Sequence, residues 1–157
     1  MIYIGIDPGV SGGIAMLWPH GPTAVKMPDT EQDLLRLLQI GEPSVAVLER
    51  VHASPQMGCV SAFTFGAGYG RLRMALVSAA IPFDEVTPGK WQGVMGLRQK
   101  TGRTVLGEHK KDKNIAKRRA QELFPSLTVT HAISDALLIA SYCERLHTGV
   151  IARDAAR

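Results

Sequence analysis

Met1-Ile-Tyr-Ile-Gly-Ile-Asp-Pro-Gly-Val-Ser-Gly-Gly-Ile14 opens the chain, and its reading decides how the rest is understood. Ile2, Ile4 and Ile6 alternate with Tyr3 and Gly5 in a short β-branched run, the pattern of a buried strand, and the run stops at Asp7. Pro8 has no N–H to offer a neighbouring strand and Gly9 accepts a positive φ, so the chain turns at once and leaves a carboxylate at the strand end. Two readings suit such an acid: a side chain capping its own turn, or a metal ligand or catalytic acid on a rigid strand. The second requires further carboxylates at the same end of the fold.

Working outward, Gly12 to Trp18 reads as a second strand and Thr23 to Met27 as a third, with Pro19 to Pro22 as the turn between them. Asp29 or Thr30 is placed to cap a helix carrying Leu34, Leu35, Leu37 and Leu38, which Gly41 and Pro43 end. Ser44 to Glu49 is a nearly continuous apolar run, as in a strand covered on both faces, and it too ends in an acid. Neighbouring Arg50 or solvent would compensate that glutamate. Gly58 to Ala80 becomes helical in its second half, where Leu72, Ala75, Leu76, Ala79 and Ala80 recur at helical spacing. Gly66, Gly68 and Gly70 do not match the dinucleotide fingerprint and are read as sites of close backbone or ligand approach.

Pro82 to Thr87 reads as a fifth strand, and Thr87-Pro88 starts a short helix through Trp91 that Gly93 and Gly96 interrupt. Residues 97 to 110 lack any period and read as a mobile loop. Asp112 would cap a helix running to Phe124. The final helix spans His131 to Arg145, with Thr130 as its cap and Ala132, Ile133, Ala136, Leu137, Ile139 and Ala140 as its apolar side. Asp135 interrupts that side, and His131 shares its face at i and i+4. Residues 1 to 147 read as one domain and 148 to 157 as a short frayed tail.

At 157 residues, with 45% hydrophobic and 20% charged residues, the chain suits a single globular domain. It shows no membrane-length apolar run and no signal peptide, so a cytoplasmic location is expected. Cys59 and Cys143 stand far apart without partners at zinc spacing, which favours free thiols. Residues 90 to 119 hold ten of the eighteen Lys and Arg against two of the fourteen acids, which puts +8 on this segment and −4 on the remainder. Such a concentration suits a polyanion. Asp7, Glu49 and Asp135, with no thiol or multiple-histidine set, suit a hard ion such as Mg²⁺ or Mn²⁺, whose work in nucleases is to activate water and clamp the scissile phosphate.

With these residues in view, the chain resembles the RuvC-type Holliday-junction resolvases of the ribonuclease H-like superfamily, in a short form like those of phages and prophages. Gly5-Ile-Asp-Pro-Gly9 looks like the family's first-strand motif, Val47-Leu-Glu-Arg50 like its second acid, and Ser134-Asp-Ala-Leu-Leu-Ile-Ala140 like its C-terminal acid on a helix. Gly68-x-Gly70-Arg71-Leu is similar to the glycine-containing helix after the second acid. Thr87-Pro-Gly-Lys90 and Lys110-Lys111-x-Lys113 resemble the DNA-contacting lysine regions.

The resemblance implies an α/β, ribonuclease H-like fold with a five-stranded mixed sheet flanked by helices. It implies a homodimer that makes paired nicks in a four-way DNA junction using two Mg²⁺ ions, with Mn²⁺ as a substitute. Asp7, Glu49, Asp135 and His131 are then the catalytic and metal-binding set. His52, Arg71, Lys90, Lys110, Lys111, Lys113 and Lys117 are the DNA-binding set. The family's usual acid or histidine three residues before the last Asp is Ala132 here, and His131 stands one residue earlier in its stead. His52 occupies the place of an aromatic wedge residue. Two alternatives differ in kind: a nucleotide-binding lobe like those of actin-like ATPases and sugar kinases, suggested by Asp7-Pro-Gly-Val-Ser11, and a non-catalytic nucleic-acid-binding module of the same fold.

Overall fold

The computed structural model describes residues 1–98 and 113–151. Among these residues five strands, β1 (Ile2–Asp7), β2 (Gly13–Trp18), β3 (Gly21–Lys26), β4 (Ser44–Glu49) and β5 (Phe83–Val86), form one sheet in the order β3-β2-β1-β4-β5. β1, β2 and β3 are an antiparallel meander, whereas β4 runs parallel to β1 and β5 parallel to β4. This is the expected five-stranded mixed sheet. β3 begins at Gly21, two residues earlier than its sequence suggests, and as an edge strand it tolerates Pro22.

Among the described residues five helices cover the sheet: α1 (Glu31–Leu38), α2 (Cys59–Ser78), α3 (Pro88–Val94), α4 (Lys113–Leu123) and α5 (His131–His147). The strands alternate between two cores. Ile2, Ile4, Ile6, Ala46 and Leu48 pack with Leu34 and Leu38 of α1 and Leu72, Ala75 and Leu76 of α2. Tyr3, Val45, Val47 and Val86 face the other way, onto α3, α4 and the apolar side of α5. Thr30 caps α1, its hydroxyl accepting from the Asp33 backbone N–H. Thr130 stands at the N-cap of α5 without a side-chain capping bond.

The largest departure is α2, helical from Cys59 and therefore twice the expected length. Its glycines do not bring it against another element: a Cβ on Gly66, Gly68 or Gly70 would meet nothing within 4 Å. Each costs the helix about 1 kcal/mol relative to alanine without breaking it. Close approach occurs on the sheet instead. A Cβ on Gly5 would lie 2.1 Å from the Ala140 backbone nitrogen and 2.3 Å from the Ala136 carbonyl oxygen, so β1 and α5 touch backbone to backbone.

α3 continues through Gly93 to Val94, and α5 runs on to His147. The chain after α5 is tied down as far as Ile151, whose N–H bonds the Arg145 carbonyl, with Gly149 at a positive φ supplying the reversal. The expected loop up to residue 110 lies mostly outside the described residues, and Asp112 lies wholly outside them, as do residues 152–157 of the tail; Leu97 is buried in the α5-side core. Among the described residues no helix is long and apolar enough to cross a membrane.

Candidate active site at the carboxyl ends of β1 and β4

β1 and β4 are parallel with Ile6 opposite Leu48, so Asp7 and Glu49 follow at the same end of adjacent strands. Alternation puts both on the face opposite the Ile6 and Leu48 core, the face that α5 covers. Asp7 is also paired with Gly13 of β2, and a Cβ on Gly13 would lie 2.7 Å from the Ala132 carbonyl oxygen. The first turn of α5 therefore sits directly over the strand position beside Asp7. Asp135, one turn into α5, shares that end of the sheet with the two strand acids. A Cβ on Gly12 would lie 3.1 Å from the Asp7 carboxyl carbon, so the bare glycine makes room for the carboxylate.

Glu49 is buried, with 8% of its surface exposed, whereas Asp7 and Asp135 are half-buried. The Trp91 indole contributes to its compensation, its Nε1–H donating to Glu49 Oε1 at 2.8 Å, and Arg50, the expected neighbour, is an exposed residue. Sequence reasoning passed Trp91 over as the end of a short helix. The available signal was the general need of a buried indole N–H for an acceptor. Asp84 was passed over as well: it lies on the same sheet face opposite Val47, two residues in from the acid end. Burial pushes the Tyr142 hydroxyl up to about 12, and the Asp84 charge adds to that.

His131 is the exposed first residue of α5, one turn before Asp135. His52 is exposed in the irregular segment that follows β4. Lys90 on α3 and Lys117 on α4 are partly exposed and belong to the elements on the α5 side. Arg71 stands apart from them. Its guanidinium pairs with Glu31 at 3.1 Å and braces α2 against α1, in the layer on the other side of the sheet. Lys110 and Lys111 lie outside the described residues, and Lys113 begins α4.

Among the described residues no three His, Cys, Asp and Glu side chains are gathered closely enough to form a metal cage. The donor chemistry at this end is nevertheless that of a hard, oxygen-seeking divalent ion: three carboxylates and no thiolate. The backbone brings the three acids to one end of one sheet face.

No protein-family model matches the chain, and a search of curated proteins finds no match. Solved structures do match. A structure described as T. thermophilus RuvC in complex with Holliday junction substrate is similar with a TM-score of 0.62 and 18% sequence identity, over 94% of this chain and 97% of that one. A second, described as the Thermus thermophilus RuvC structure, is similar with a TM-score of 0.59 and 17% identity, over 95% of this chain and 97% of that one. Along nearly its whole described length, the chain has the RuvC-type, ribonuclease H-like fold of an α/β protein.

Proposed function

We propose that this protein is a divalent-metal-dependent endonuclease that resolves four-way DNA junctions by paired symmetric nicks. The observation that carries the reading is the arrival of Asp7, Glu49 and Asp135 at one end of one sheet face, on a fold shared with a RuvC bound to a Holliday junction. The three carboxylates would hold two Mg²⁺ ions, with Mn²⁺ as a substitute. When bound, such ions supply a water acidic enough to attack at neutral pH and stabilisation of the leaving 3′-oxygen.

The chain's own residues do the rest. The acids orient the site from a rigid strand pair, and His131 serves as a fourth ligand or moves a proton from the attacking water. Lys90, Lys117 and the basic run through Lys110, Lys111 and Lys113 bind phosphates without reading sequence. His52, leaving the acid end on the chain beyond β4, stacks at the junction centre.

A homodimer completes the reading, since a four-way junction offers two equivalent strands to cut. Support comes from α2. Val60, Phe63, Ala67, Gly70, Met74 and Val77 recur at alternating three- and four-residue steps, all are exposed, and none is charged. That is the seam of a helix that packs against a second helix, with its smallest residues where two axes cross.

The test is incubation with a synthetic four-way junction and a matched linear duplex, with and without Mg²⁺. Symmetric nicks in the junction alone, dependent on the metal, are expected. Asp7→Asn, Glu49→Gln and Asp135→Asn should each fold and bind the junction yet lose nicking by roughly three orders of magnitude, because deleting an anion beside a phosphate removes repulsion while the lysines keep the affinity. Near-normal cleavage by any one of them removes that residue from the site, and intact duplex and junction in every metal condition overturn the reading.

A further inference from the structure

Glu49 is the most buried of the three acids, and a carboxylate withdrawn from water needs donors aimed at it. The Trp91 indole provides one, Nε1 to Oε1 at 2.8 Å between two buried groups. Trp91 is fully buried among Met95, Leu97 and the α5 side chains, so its ring has no room to swing away. Its place follows from strand register. Glu49 lies opposite Val86, Thr87 follows, and Pro88 begins α3 with its φ already near the helical value, which puts Trp91 one turn in, above the glutamate.

We propose that Trp91 is a positioning residue for Glu49: its N–H holds Oε1, fixes the rotation of the carboxylate, and so sets how Glu49 meets a divalent cation. This rests on the reading of Glu49 as a ligand. The choice of donor has a chemical logic. An indole N–H is neutral and donates only, so it orients the carboxylate while leaving its negative charge for the cation. An arginine or lysine in its place would neutralise that charge and compete with the metal. Hydrogen-bond partners behind metal ligands typically matter by 10- to 100-fold in affinity or activity, about the size expected here.

The experiment uses the full chain labelled with ¹⁵N and follows its two indole N–H signals, assigned by Trp18→Phe. Trp18 is the internal reference, because its Nε1 donates to Thr23 Oγ1 at the opposite end of the sheet. Mg²⁺ should shift the Trp91 signal saturably and leave Trp18 unmoved. Glu49→Gln should move the Trp91 signal without metal and remove its response to Mg²⁺. Trp91→Phe should weaken Mg²⁺ binding, read by calorimetry, by about tenfold or more, with a smaller loss of nicking rate at saturating Mg²⁺.

A Trp91 signal unmoved by saturating Mg²⁺, unmoved by Glu49→Gln, or an unchanged Mg²⁺ affinity in Trp91→Phe overturns the proposal. Nicking in Mg²⁺ with a silent Trp91 signal keeps the nuclease and discards this role for Trp91. A responsive signal without nicking does the reverse. Should Trp91→Phe not fold, the wild-type and Glu49→Gln spectra still decide.

Discussion

The two faces of the sheet use glycine for opposite ends. On the α5 face, Gly5, Gly12 and Gly13 are places where any side chain would run into backbone, and the acids stand beside them. On the other side, Gly66, Gly68 and Gly70 lie in open space along a helix whose outer stripe is apolar and exposed. The first face is closed and holds a distance constant. The second carries the stripe proposed to meet another copy. A glycine is thus informative only when its neighbours are known: the same residue type marks a tight seam in one layer and costs helix stability in the other.

The sharpest way to break this contrast is Gly5→Ala. Its methyl would overlap the Ala136 and Ala140 backbone, so a loss of roughly 3 kcal/mol or more is expected, read as a fall in the denaturant midpoint. A variant as stable as wild type would mean that α5 slides freely on β1. Next in size, Phe63→Asp places a charge on the exposed α2 stripe. The chain should stay folded while its solution mass falls to that of one copy, measured by sedimentation equilibrium, since about 1.5–3 kcal/mol of apolar burial per copy is forfeited and a charge must be desolvated. An unchanged mass moves the interface elsewhere.

Gly66→Ala, off that stripe and in open space, should do the reverse of Gly5→Ala and stabilise by about 1 kcal/mol. The smallest effect is a silence. Burial pushes the Cys143 thiol from its ordinary value near 9 up to about 12, whereas Cys59 is exposed at the start of α2. At pH 8 one thiol per native chain should react with an alkylating reagent, and two after unfolding. The raised value also means that Cys143 contributes full stability below pH 9 and loses it as pH climbs toward 12.

How much of this was legible in the sequence depends on the range of the interaction. The β-branched runs of β1 and β4 and their terminal acids follow from local pattern, and a shared parallel end follows once the strands are adjacent. The mixed, five-stranded sheet was anticipated through the family resemblance. The early start of α2 was not, because three glycines lower local helix propensity and only the absence of any nearby obstacle lets the helix persist. The Trp91–Glu49 bond was hidden for a different reason. It joins residues forty-two positions apart through the β4–β5 register, and neither side chain announces the other. The pairing of Arg71 with Glu31 of α1 was hidden in the same way, since it joins residues forty positions apart across two helices.

The contact at Gly5 has one further consequence. Most spacings inside a protein are adjustable, since a methyl added here or removed there lets a helix ride higher or settle lower on its sheet. Where β1 meets α5, main chain rests on main chain, and no side chain remains to be trimmed. The gap between the strand acid and the helix acid therefore behaves like a mechanical stop rather than a packed joint. Repacking of the surrounding core will change how firmly the stop is pressed, but not where it lies.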